Sequence, residues 1–154
     1  MAEDPERISY RYIVENADQH YLSSDHLWMM WIWRNIVLVR PSGKWSVYDT
    51  TFYLNQYWNI FGDLKQTYSK VYFVFDMNQW EMQTEEFRRY IKENWAHTLD
   101  REDLNVLFVD SSSIKRLIWS AMFQLVGKRE LLFIFKDFSE AFAWIRGRFV
   151  KNGV

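Results

Sequence analysis

Lys70-Val71-Tyr72-Phe73-Val74-Phe75-Asp76 is the stretch that decides the fold. Its five consecutive apolar residues leave no polar side, as in a strand covered on both faces within a parallel sheet. Parallel neighbours need long crossovers, normally helices. The flanking sequence has that period. Before the run, Val47, Leu54, Tyr57, Trp58, Phe61, Leu64 and Tyr68 fall on one side of an amphipathic helix. After it, Thr84 can cap a helix that turns Phe87, Tyr90, Ile91 and Trp95 inward.

The alternation continues toward the C-terminus. Val106–Val109 reads as a buried strand ending at Asp110, and Ser111–Ser113 supply caps for a helix with Ile114, Leu117, Ile118, Ala121, Met122 and Leu125 on one side, stopped near Gly127. Leu131–Phe135 is a further buried strand. Asp137 and Glu140 have capping-box spacing and open a last helix using Phe138, Ala141, Phe142, Ile145 and Phe149. Toward the N-terminus the pattern is of strands: Ile8–Glu15, Leu27–Trp33 and Ile36–Arg40, the last two separated by Arg34-Asn35 as in an antiparallel hairpin. Pro41-Ser42-Gly43 is a strong turn signal. The expected architecture is a single α/β domain. A mostly parallel central sheet, with right-handed crossovers, carries an antiparallel N-terminal hairpin and about four helices. Its core covers about 27–149, with an extra N-terminal strand at about 8–15.

Composition narrows the class. The chain has 154 residues, 49% of them hydrophobic, a formal net charge of −1, and aromatics at 19%, roughly double a usual share. One core of this size needs no covalent staple. The apolar content excludes disorder. The absence of cysteine excludes disulfide scaffolds, thiolate metal sites and thiol chemistry. A near-neutral chain lacks the basic footprint that phosphate backbones require, so no nucleic-acid partner is expected. The acidic start (Glu3, Asp4, Glu6) is not a secretory signal, and Leu27–Trp33 is far short of a bilayer span. A cytoplasmic protein without an integral membrane segment is the expectation. No repeat or low-complexity segment interrupts the chain.

Four stretches carry a family resemblance: Ile36-Val-Leu-Val-Arg-Pro-Ser-Gly-Lys-Trp45, Lys70–Asp76, Thr84-Glu-Glu-Phe-Arg-Arg-Tyr90 and Phe135-Lys-Asp-Phe-Ser-Glu-Ala-Phe-Ala-Trp144. In this order they resemble the STAS-like family, the domain of sulfate transporters and anti-sigma-factor antagonists, and in particular its small stand-alone bacterial branch. The resemblance runs from about Leu27 to Phe149. It implies a non-catalytic regulatory module that binds a partner protein or a small ligand. In the antagonist branch a phosphorylatable serine follows the central strand. Here Asp76-Met-Asn-Gln-Trp-Glu-Met-Gln-Thr84 occupies that place, and Thr84 is its only hydroxyl.

Candidate site residues follow from strand ends. Ligands of open α/β sheets sit beyond the carboxyl ends of the strands, which selects Asp76, Asn78, Trp80 and Thr84 after one strand and Asp110, Ser111 and Ser112 after another. The helix start after Asp110 also suits an anion, although Asp and Ser are equally what capping requires. His20, His26 and His97 lack metal-ligand spacing, and no nucleophile elbow, Walker loop or dinucleotide fingerprint is present. Neither catalysis nor a cofactor is expected. Strand alternation puts Trp28, Met30 and Ile32 on one face and Met29, Trp31 and Trp33 on the other. Both faces are apolar, which makes Trp28, Met30, Trp31 and Trp33 candidates for a homodimer interface. The expected function is a non-enzymatic regulatory or protein-interaction module. The alternative is a carrier of a small apolar, lipid-like ligand in a cavity lined by Trp, Met and Phe.

Overall fold

The computed structural model describes residues 7–23, 27–81, 85, 89, 93, 103–124 and 132–152. Its centre is one six-stranded sheet in the order β1-β2-β3-β4-β5-β6. The strands are β1 (Gln19–Leu22), β2 (Trp28–Trp33), β3 (Ile36–Pro41), β4 (Val71–Asp76), β5 (Leu104–Val109) and β6 (Leu132–Phe135). The first three form an antiparallel meander, and β3 through β6 run parallel. The sheet is therefore mixed α/β with its antiparallel part at the N-terminus, as expected. Four helices are described in full: α1 (Tyr10–Asn16), α2 (Val47–Lys65), α3 (Ser113–Gln124) and α4 (Phe138–Asn152). Glu85, Arg89 and Glu93 are also helical and exposed. Thr84, the inward residues expected after it, Leu125, Gly127 and Leu131 lie outside the described residues.

β4 and β5 are buried along their whole length, which is what their unbroken apolar runs require. Alternation splits their side chains between two clusters. Val71, Phe73 and Phe75 pack with Val37, Val39, Val106, Phe108, Tyr53, Tyr57, Phe61 and Trp119 under α2 and α3. Tyr72 and Val74 pack with Leu38, Leu107, Val109, Ile13, Ala141, Phe142 and Ile145 under α1 and α4. The arrangement is three layers, helices on both sides of one sheet. α2 begins at a reciprocal capping box: Asp49 N–H donates to Ser46 Oγ at 3.0 Å, and Ser46 N–H donates to Asp49 Oδ2 at 2.9 Å. At α4, Glu140 N–H donates to Asp137 Oδ1 at 2.9 Å, while the Glu140 carboxylate pairs with Lys136 at 3.4 Å.

Two expectations are corrected. Ile8–Glu15 is not a strand: its Tyr, Ile and Val content favours β structure, but Ser9 accepts from Tyr12 N–H and starts a helix. Ile8 and Ile13 are then fully buried against the sheet, and tertiary burial overrides propensity. The true first strand is β1, read from sequence as a polar loop because all four of its residues are exposed. The second correction concerns the doubly apolar strand. Trp28, Met30, Trp31 and Trp33 are only 7, 1, 5 and 4% exposed, so they are core and not an interface between subunits. The face carrying Trp31 and Trp33 is closed by α1, with Tyr12 edge-on to Trp33 at 5.5 Å and Tyr10 6.4 Å from Trp31.

Ile13→Ala is expected to cost about 2–5 kcal/mol in urea unfolding, the usual range for a buried aliphatic cut back to alanine, and α1 as a loosely attached lead-in would cost far less. Tyr57 gives a second expectation. Its hydroxyl is buried with no hydrogen-bond partner among the described residues, and burial pushes its pKa well above the ordinary 10.0. The unfolded chain then loses this proton near pH 10 while the folded chain keeps it, so stability falls as pH rises past that value. Tyr57→Phe should flatten this alkaline fall and, by removing an unmet polar group, raise stability at neutral pH by about 1 kcal/mol.

Candidate functional site

The ends of β3, β4 and β5 lie together at the carboxyl edge of the sheet, and three loops leave from them. The loop after β3 turns at Gly43, whose φ of +70° is what selects glycine there, since a Cβ would meet only Leu27 Cδ2 at 3.4 Å. Gly43 N–H donates to Gln79 O and Gly43 O accepts from Glu81 N–H, which stitches this loop to the one after β4.

Asp76 ends β4 with its side chain on the α1 face. Asp76 Oδ1 accepts from Asn78 N–H at 3.2 Å and from Asn78 Nδ2 at 2.8 Å. Asp76 Oδ2 faces Arg40 Nε at 3.6 Å and accepts from Tyr10 Oη at 3.4 Å. Arg40 donates to the same Tyr10 hydroxyl at 2.7 Å and lies 5.5 Å from the Trp31 ring centre. Burial raises the Tyr10 hydroxyl above its ordinary range, Arg40 opposes that shift, and Asp76 adds to it. Tyr10 is thus held as a neutral hydroxyl that links Arg40 to Asp76.

Asp110 is 1% exposed. Its Oδ2 pairs with Lys115 Nζ at 2.9 Å and accepts from Trp119 Nε1 at 3.3 Å, while Oδ1 accepts from Ser112 N–H at 3.0 Å. Lys115 also donates to Met77 O at 2.8 Å, tying α3 to the loop after β4. Ser112 Oγ accepts from Lys115 N–H and caps α3. Asn78 completes the link between the two loops: its Oδ1 accepts from both Ser111 N–H and Ser111 Oγ at 2.9 Å.

Of the expected site residues, Asp76, Asn78, Asp110, Ser111 and Ser112 are therefore brought together, but as a clasp whose polar groups serve one another. Asn78 and Ser111 are exposed. Trp80 is corrected from a loop side chain facing a ligand to a core residue, 8% exposed, edge-on to Trp45 at 5.7 Å and stacked on Trp119 at 5.1 Å. Its polar sequence neighbours concealed that burial. Thr84 lies outside the described residues, as do His26 and His97. His20 stacks on Trp31 at 5.2 Å. Among the described residues no group of three or more His, Asp or Glu side chains converges on a point that could hold a metal ion.

The same edge of the sheet holds a feature the sequence reading missed. An open groove of about 390 Å³ lies where the ends of β1 and β2 meet the first turns of α2. Tyr21, Trp28, Tyr48, Phe52 and Tyr53 wall it, with Asp49 at its side. Tyr48 and Phe52, four residues apart on the exposed side of α2, were its visible signal. No known protein family, curated protein or solved structure matches this chain.

Lys115→Met removes the cation from a carboxylate that stays buried. It should destabilise the fold by about 3 kcal/mol, toward the low end for a broken buried pair because the Ser112 and Trp119 N–H groups remain, as measured by denaturant unfolding.

Proposed function

We propose that the chain is a non-enzymatic regulatory module of the STAS-like type that works by binding a partner protein. The observation that carries this reading is the start of α3. Ile114 and Leu117, three residues apart on one side of that helix, are 71 and 72% exposed, next to the Asn78–Ser111 clasp. Exposed aliphatics side by side on a braced helix are what a protein partner covers. The clasp fixes the α3 start against the loop after β4, so the surface is presented in one arrangement. The order of strands and helices agrees with what the resemblance implies from Leu27 onward. Among the described residues no helix is long and apolar enough to cross a membrane, and a cytoplasmic location belongs to the same proposal.

A second reading, a small-ligand binder, is favoured by the groove beside α2. Its volume is in the range of ligand sites, and aromatic rings form most of its wall. It differs from the cavity lined by Trp, Met and Phe that was expected for a lipid-like ligand, because three of its five rings are those of tyrosine and no methionine is among its described lining residues.

The doubly substituted Ile114→Asp/Leu117→Asp chain tests the first reading. Both side chains are exposed, so its stability should stay within about 0.5 kcal/mol of the parent. A partner that co-purifies with the parent chain should be lost from the variant. A self-association that the variant dissolves would identify the partner as a second copy. Retention of the partner by the variant overturns the proposal, and so does substrate turnover by the purified chain that Asn78→Ala or Ser111→Ala abolishes.

A further inference from the structure

The groove between β1, β2 and α2 has a definite electrical character. Five aromatic rings, those of Tyr21, Trp28, Tyr48, Phe52 and Tyr53, form its wall, and each ring face carries the negative side of a quadrupole. Among the described residues that line the groove, Asp49 is the only ionisable side chain apart from the tyrosines, and none is a cation. The start of α2 opposes this with a partial positive charge of about half a unit. That contribution is blunted, because Asp49 N–H and Thr50 N–H are already met by Ser46 Oγ and Ser46 O. One full carboxylate charge outweighs the remainder. The groove therefore favours positive charge.

The kind of cation follows from hydration. A primary ammonium group is compact and strongly hydrated, and in an open groove it gains little by giving up water. A quaternary or alkylated ammonium ion is weakly hydrated and carries methyl groups that lie against ring faces, the geometry of aromatic cages. Asp49 uses Oδ2 for Ser46 N–H, and a carboxylate has lone pairs to spare for a neighbouring charge. Tyr48, Phe52 and Tyr21 are 78, 49 and 43% exposed, so the rings at the mouth are accessible to a ligand.

We propose that this groove binds a small quaternary or alkylated ammonium ion, with the ring faces holding its methyl groups and Asp49 its charge. The inference rests on the small-ligand reading and names the ligand's chemistry. Choline chloride and its uncharged alcohol analogue, in which carbon replaces nitrogen, separate the two. Each is titrated into the full chain at matched ionic strength and followed by NMR. Choline is expected to bind about tenfold more tightly than the analogue, with shifts centred on Tyr21, Tyr48 and Phe52. Asp49→Asn, which keeps an acceptor for Ser46 N–H, should weaken choline severalfold and leave the analogue unchanged. Tyr48→Ala and Phe52→Ala, at exposed positions, should weaken both. Equal affinity for the two probes overturns the cation proposal and leaves a ligand site of apolar character. Shifts that sodium chloride reproduces, or no shift with either probe, overturn both readings.

Discussion

The direction in which the sheet grows governs the rest of the molecule. β3, β4, β5 and β6 lie side by side in chain order and all run parallel. Crossovers between parallel strands share one hand, so connections that advance in one direction put their helices on one face. α2 and α3 occupy that face with Trp119, Tyr53, Tyr57 and Phe61. β4 and β5 are apolar on both sides, and no such crossover can cover the second. Cover must come from elements outside the connections: α1 ahead of the sheet and α4 after it. Tyr10 and Phe138, one from each, meet edge-on at 4.5 Å over this face.

The high aromatic content has a related explanation. At the carboxyl edge Trp28, Tyr53, Trp45, Trp80 and Trp119 touch in succession, with ring centres 4.6–5.7 Å apart. This row fills the space beneath the loops on the α2 and α3 side, where aliphatic side chains would be too short to bridge from one loop to the next. Trp119 also gives its N–H to Asp110, so the row ends by helping to hold a buried charge. Where the row reaches β1 and the start of α2, it runs out of neighbours and becomes the wall of the groove.

How far all this is legible in the sequence depends on the range of each interaction. α2 and the buried strands are written in local periodicity and were read directly from it. Asp76 and Asp110 were legible because an acidic residue after a buried run marks a strand end. α1 was not, since Tyr10, Tyr12, Ile13 and Val14 have strand-like chemistry and become helical only when Ile13 finds a pocket between distant elements. β1 carries no alternation because every residue in it is exposed. The clasp joins Asn78 to Ser111, 33 positions away, and Tyr10 to Asp76, 66 positions away. No local pattern records such pairings. The groove draws on β1, β2 and α2 together and was hidden for the same reason.

Arg146 of α4 donates to Ile8 O at 2.8 Å, across 138 positions of sequence. Together with the Tyr10–Phe138 contact, it makes the first helix depend on the last. During synthesis α1 leaves the ribosome first, yet its resting place is incomplete until α4 has emerged. Until then the cover that α1 lays over Trp31 and Trp33 lacks its two ties to α4. The packing over this face of the meander is therefore among the last parts of the fold that the chain can complete.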